Sequence, residues 1–194
     1  MTTSNTLAPI SASRRLFLFE TTAATLSGAA IALLAGSPRL AQAAGHEAGQ
    51  VVTDIQILNA ALAAEREAIA AYQVGAESGL LKKDVLKTAV QFQSHHKAHA
   101  DVLAGTIKKL GGESAEAPTK YDFPVHQLKS QKDVLEFAAK LERGAVTAYA
   151  GAIPKFENRD LSAAAASILS DEAMHWAVLR QVLGLDPVPG AFFA

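Results

Sequence analysis

Four stretches of the chain repeat apolar residues at steps of three and four positions, and each stretch carries metal-ligand residue types near its middle. The stretches run over residues 58–72, 85–107, 135–153 and 168–182. Such steps place all members of a stretch on one face of a helix. The pattern therefore predicts four amphipathic helices whose apolar faces meet in a common core.

Glycine and proline residues mark the ends of these helices. We expect helices over about 53–78, 84–110, 130–153 and 161–183, ended by Gly79, Gly111, Pro154 and Gly184. Residues 113–129 contain two prolines and are expected to form a long connection. No alternating strand pattern is present in the sequence. Two short hairpins and one long crossover between helices two and three predict an all-α, antiparallel four-helix bundle.

Charged and imidazole side chains interrupt the apolar stripes. An isolated charge in an apolar interior costs several kcal/mol at least, so such groups are paired, protonated or bound to a metal. Carboxylates suit iron and manganese, and residues three apart on a helix can reach one metal together. The stripes thus predict a buried metal site. Its candidate ligands are Glu65, His96, His99, Glu142, Glu172 and His175.

The two halves of the chain resemble each other. Helices one and three each contain a Glu-Arg pair, starting at Glu65 and Glu142, with a tyrosine seven residues after the glutamate. Helices two and four each contain a pair of ligand types three residues apart, ending at His99 and His175. A bundle with pseudo-twofold symmetry is expected.

In these motifs the chain resembles the ferritin-like superfamily, in particular exported bacterial ferritin-like domain proteins. The resemblance covers about residues 53–183. It implies Glu65 and Glu142 as terminal or bridging carboxylates, Glu172 as a bridge, and His99 and His175 as terminal nitrogen ligands. The family's di-iron or di-manganese centre would use dioxygen or peroxide as oxidant.

One position departs from the family pattern, because His96 stands where a glutamate is expected. A neutral imidazole does not bridge two metals as a carboxylate does, and the replacement removes a negative charge. Three outcomes stay open. The site holds two metals with a water or hydroxide bridge, it holds one ion such as zinc or iron, or it has lost its metal.

The N-terminus has the pattern of an export signal. Arg14 and Arg15 precede Leu-Phe, a weakly apolar run follows, and Ala41-Gln42-Ala43 forms a small-x-small cleavage motif. We expect a twin-arginine-type signal over residues 1–43, a flexible start over 44–52, the bundle over 53–184 and a tail over 185–194. The expected location is the periplasm, with membrane tethering if the signal is not cleaved.

The amino-acid composition limits the kinds of partner that the chain is expected to bind. The chain has no cysteine, which excludes disulfides and thiolate metal sites. Removal of the signal takes away three arginines and one glutamate, moving the formal charge from −1 to about −3. This weakly acidic balance gives no reason to expect nucleic acid, and no remaining segment has the apolar length of a membrane span. An alanine-rich helix face makes a homodimer plausible.

Two functions from different classes fit these features. The first is a metal-dependent oxidoreductase or metal-handling protein with ferroxidase-like or peroxide-consuming chemistry, although the sequence identifies no catalytic residue. The second is a metal-free bundle with a structural or stress-protective role, which the His96 replacement favours.

Tyr72 and Tyr149 are interpreted as core packing, the alternative being hydrogen bonds to ligands or a redox role. His95, one position off the stripe, is interpreted as a surface or supporting group.

Overall fold

A computed structural model of the chain describes residues 46–193, with side chains described from residue 51. The described part contains no strand, and two short 3-10 turns, Val125–Gln127 and Ile153–Lys155, accompany its helices. The predicted all-α class is therefore confirmed. The expected export signal lies outside the described residues. The four helices are α1 (His46–Glu77), α2 (Lys83–Lys109), α3 (Gln131–Ala152) and α4 (Arg159–Val182).

The helix ends follow the glycine and capping signals in the sequence. Gly79, Gly111 and Gly184 adopt positive φ angles of 70°, 79° and 74°, a conformation that glycine reaches without steric cost. The side chain of Ser130 caps α3 by accepting a hydrogen bond from the backbone N–H of Asp133. Asn158 caps α4 in the corresponding way.

The first helix begins earlier than predicted. Residues 46–52, expected as a flexible start, belong to α1. Glu47 and Ala48 favour helix, and the single Gly49 within this turn does not interrupt it. Asp54 is buried inside α1. Its carboxylate accepts hydrogen bonds from the backbone of Glu157 and Asn158, which ties α1 to the turn before α4.

Two apolar clusters lie along the bundle axis, with the polar stripe residues between them in each helix. One cluster includes Leu62, Leu103 and Ile168. The other includes Phe92 and Leu179. The apolar packing at both ends therefore fixes the positions of the polar residues between them, because closely packed interiors adjust little.

The connection of residues 110–130 is held against α1. The side chain of Asn59 donates to the carbonyl of Glu113 and accepts from the backbone N–H of Ala115. Past α4, the ring of Phe193 contacts Trp176 with centroids 5.2 Å apart, so one aromatic residue of the tail docks on the bundle. Among the described helices, none has the length and apolarity that a membrane crossing requires.

Candidate metal centre

The structure brings all six predicted ligand residues together at the middle of the bundle. Five of them are almost completely buried, with 0–2% of each residue exposed, namely Glu65, His96, Glu142, Glu172 and His175. The His99 side chain is 15% exposed. Every helix contributes at least one of these residues. The stripe residues of the four helices thus face one another, and their binding of a metal stays a prediction.

The residues fall into two overlapping groups, each able to direct one ligand atom per residue toward a common point. The Glu65 half-site, defined by Glu65, His96, His99 and Glu172, is compact. Nδ1 of His96 lies 2.8 Å from Oε2 of Glu65. Nδ1 of His99 lies 3.1 Å from Oε1 of Glu172 and 3.6 Å from Oε2 of Glu65.

The Glu142 half-site, defined by His96, Glu142, Glu172 and His175, lies next to it. Nε2 of His96 is 3.3 Å from Oε1 of Glu142. Nδ1 of His175 is 3.5 Å from the same oxygen and 3.7 Å from Oε2 of Glu172. Glu172 therefore presents Oε1 to one half-site and Oε2 to the other. His96 likewise presents one ring nitrogen to each.

Two tyrosines hold the carboxylates from the opposite half of the chain. The hydroxyl of Tyr149 donates to Oε1 of Glu65 at 2.6 Å, and the hydroxyl of Tyr72 donates to Oε1 of Glu142. Both tyrosines pack in the core as expected, and their hydroxyls make the hydrogen bonds to candidate ligand residues that were the alternative interpretation. Burial, and then the charge of the paired glutamate, raises the pKa of both tyrosines.

Electrostatics in the cluster favour protonated histidines in the absence of metal. Burial lowers the pKa of His96, but hydrogen bonds to Glu142 and Glu65 outweigh it and raise this pKa to about 11. Burial also lowers the pKa of His99 and of His175, but the close approach of neighbouring glutamates outweighs it and raises both pKa values to about 9. Burial raises the pKa of Glu142, yet its close contacts with the imidazoles of His175 and His96 prevail and lower it.

Several buried ligand atoms make no hydrogen bond within the described part of the chain. They are Oε2 of Glu142, both carboxylate oxygens of Glu172, Nδ1 of His99 and Nδ1 of His175. Buried polar atoms normally have a partner, and a group without one calls for an explanation such as a bound ion. Oxygen and imidazole donors suit iron, manganese and zinc. By this criterion the residues fit a metal cluster.

Two further residues adjoin the cluster. His95, interpreted as a surface or supporting group, is half-buried and lies 3.0 Å from Oδ2 of Asp171 and 2.9 Å from Nε2 of His175. Asp171 was not among the ligands predicted from the sequence. Asp171 lies one residue before the Glu172–His175 pair, just as His95 lies one residue before the His96–His99 pair. This correspondence between the two halves was the sequence signal that could have identified it.

A four-helix bundle with a central cluster of glutamates and histidines from every helix has the architecture of carboxylate metal proteins. The family model of the ferritin-like domain matches residues 53–185, so the chain belongs to this family. No curated protein matches the chain.

Two solved structures have similar folds. A conserved hypothetical protein from Mycobacterium tuberculosis is 24% identical, with a TM-score of 0.64, covering 74% of this chain and 99% of its own. A structure described as "ferritin like, diiron-carboxylate proteins" from Bacillus anthracis str. Ames is 25% identical, with a TM-score of 0.61. That match covers 72% of this chain and 99% of the other. The predicted ferritin-like fold is thereby confirmed.

Proposed function

We propose that this protein is an exported, periplasmic ferritin-like protein that binds a dinuclear iron or manganese cluster through Glu65, His96, His99, Glu142, Glu172 and His175. The observation that carries the proposal is the pair of half-sites sharing Glu172, whose two buried oxygens face different half-sites without a hydrogen-bond partner among the described residues. The similar solved structure described as diiron-carboxylate supports iron as the metal.

The chain's own residues hold and orient the ligands. Tyr149 fixes one oxygen of Glu65, which leaves Oε2 directed at the Glu65 half-site. Tyr72 fixes Glu142 in the same manner. Such hydrogen bonds from outside the ligand set orient ligands and tune their basicity. Iron or manganese held by these residues would supply redox chemistry toward dioxygen or peroxide, as ferroxidase-like oxidation or peroxide removal requires.

His96 governs how many ions the cluster holds. A neutral imidazole has a lone pair on only one ring nitrogen, so it serves one half-site at a time. Two ions would then need Glu172 together with a further ligand from solvent, or loss of the second imidazole proton of His96. One ion requires only the four residues of a single half-site. A count of metal per chain separates these arrangements.

A second function, a metal-free bundle with a structural or stress-protective role, has one specific observation in its favour. The pKa values of His96, His99 and His175, raised to about 11, 9 and 9, leave three imidazoles protonated at neutral pH. Their three positive charges can balance the charges of Glu65, Glu142 and Glu172. The charges of the buried cluster thus balance without a bound ion, whereas the buried atoms without a hydrogen-bond partner stay unsatisfied.

Elemental analysis of protein exported by its own host tests both functions. The matched proteins are the wild type, a Glu172→Ala/His175→Ala variant, and a His126→Ala control that removes an exposed histidine outside the cluster. We expect one or two iron or manganese ions per chain in the wild type and control, and none in the double variant. Zinc at one per chain would keep the site but remove the redox role.

Absence of metal in all three proteins, with similar stability, would overturn the metal-binding proposal and leave the metal-free bundle.

The proposed periplasmic location has its own test. Fractionation of the host should place the mature protein in the periplasm, and replacement of Arg14 and Arg15 by lysine should retain it in the cytoplasm. Export that is unaffected by these replacements would contradict a twin-arginine route.

A further inference from the structure

A second group of metal-ligand side chains lies at the outer edge of the cluster. It consists of His95, Asp171 and His175, whose ligand atoms all lie within 4.8 Å of one another. His95 and Asp171 occupy corresponding positions in the two halves, each one residue before a ligand pair. The pseudo-twofold arrangement therefore brings an imidazole from α2 and a carboxylate from α4 into contact.

The distances among these atoms match those between ligands of one tetrahedral ion. Nδ1 of His95 lies 3.0 Å from Oδ2 of Asp171 and 2.9 Å from Nε2 of His175, and the third distance, from His175 to Asp171, is 3.3 Å. Ligand atoms bound tetrahedrally at 2.0–2.1 Å are about 3.3 Å apart. Nε2 of His99 lies 3.4 Å from Oδ2 of Asp171, beside this group but outside it.

Hydrogen bonding alone accounts poorly for this geometry. Three imidazole nitrogens face a single oxygen, and two of those nitrogens also face each other. A ring nitrogen carries at most one proton, so it cannot donate to Asp171 and to the neighbouring ring at once. Lone pairs directed at a shared cation would satisfy all of these atoms together.

The outer group is open to solvent, whereas the inner cluster is closed. The side chains of His95 and Asp171 are 35% and 22% exposed, and that of His175 is 2% exposed. His175 belongs to both groups, with Nε2 facing Asp171 and Nδ1 facing Glu142. His99 has the same two-sided arrangement, between Asp171 and Glu172.

We propose that His95, Asp171 and His175 form an outer site for a divalent transition-metal ion, and that this site captures ions for the inner cluster. A nitrogen-rich set of this kind favours zinc, cobalt or ferrous iron over magnesium and calcium. Because a neutral imidazole offers one lone pair, His175 holds an outer ion or an inner ion, which suits transient capture. The capture role, unlike the outer site itself, rests on the proposed function.

Co²⁺ alone serves as the probe, added to the metal-free full chain. A Glu142→Gln/Glu172→Gln variant disables the inner cluster while it retains every outer ligand. We expect this variant to bind one Co²⁺ per chain by calorimetric titration, with visible absorption of a tetrahedral ion. Addition of His95→Ala or Asp171→Asn should weaken that binding about tenfold or more. Addition of His126→Ala, an exposed histidine elsewhere, should leave it unchanged.

The wild-type protein supplies a second measurement that does not depend on folding of the inner-site variant. His95→Ala in the otherwise unchanged chain should slow Co²⁺ loading of the inner cluster, while the final number of bound ions stays the same. The proposed outer site would be overturned if the folded inner-site variant bound no Co²⁺. It would also be overturned if His95→Ala changed neither the Co²⁺ affinity of that variant nor the rate of Co²⁺ loading in the otherwise unchanged chain.

The two proposals fail separately. A wild-type inner cluster that takes up no metal, beside an inner-site variant whose single Co²⁺ depends on His95, would refute the proposed function while it supports the outer site.

Discussion

The hydroxyl of Tyr149 on α3 donates a 2.6 Å hydrogen bond to Oε1 of Glu65 on α1. Tyr72 on α1 makes the corresponding bond to Glu142 on α3. Each half of the chain thus holds the carboxylate of the other half. Because both tyrosines are buried, the orientation of the two glutamates depends on the packing of α1 against α3.

Tyr149→Phe removes the hydroxyl but keeps the ring. Hydrogen bonds to charged groups contribute about 1.5–3 kcal/mol, so the free energy of unfolding of the metal-free protein should fall by that amount. Urea unfolding with a chelator present measures the change. Tyr121→Phe is the matched control, because the Tyr121 hydroxyl makes no hydrogen bond to any described residue. If the free energy of unfolding falls equally little in both variants, the Tyr149–Glu65 hydrogen bond contributes nothing to stability.

Protonation of His96 should make the stability of the metal-free protein depend on pH. Its pKa rises from 6.5 to about 11 on folding, since hydrogen bonds to Glu142 and Glu65 outweigh the lowering by burial. A pKa raised on folding stabilises the native state fully below pH 6.5, and this contribution is lost as the pH rises toward about 11. We therefore expect the wild type to lose stability over this range relative to His96→Gln.

Unfolding curves of both proteins in chelator, at pH values spaced across that range, measure the effect. The difference in free energy of unfolding between wild type and His96→Gln should narrow as the pH increases. A difference that stays constant over the whole range would show that His96 does not take up its proton on folding.

Helical periodicity in the sequence was sufficient to predict the bundle and the convergence of the six candidate ligands. Steps of three and four determine which face of a helix a side chain occupies, and that face meets the core. Periodicity does not say which residue on another helix lies opposite. For this reason the contact of Tyr149 with Glu65 was only an alternative in the sequence analysis, and the separation into two half-sites was not predicted.

The outer group was missed for a related reason. His95 and Asp171 each lie one position off the stripe, about 100° around the helix from their neighbours. A stripe-based interpretation assigns such residues to the surface. Near the edge of an apolar face, however, two of them on facing helices still meet, as the 3.0 Å distance between Nδ1 of His95 and Oδ2 of Asp171 shows.

Metal binding should raise the thermal stability of the protein. A ligand present at a hundredfold excess over its Kd adds about 2.7 kcal/mol of stability. For a domain of this length, that corresponds to an increase in Tm of about 5–10 °C. Calorimetry of chelated protein with and without added Mn²⁺ measures it. Glu142→Gln, which removes one charge from the Glu142 half-site, should show a smaller increase, and an equal increase would place the metal elsewhere.

Replacement by alanine should lower the stability of the protein at Gly112 and raise it at Gly105. A Cβ at Gly112 would lie 2.8 Å from Cγ2 of Ile55 and 3.2 Å from Cγ2 of Ile107, whereas a Cβ at Gly105 meets nothing within 4 Å. Gly112→Ala should therefore cost about 1–3 kcal/mol through overpacking between α1 and the end of α2. Gly105→Ala, at an exposed position inside α2, should add about 0.5–1 kcal/mol. Thermal unfolding of both variants measures the effects, and a Gly112→Ala protein as stable as the wild type would show that Ile55 moves aside freely.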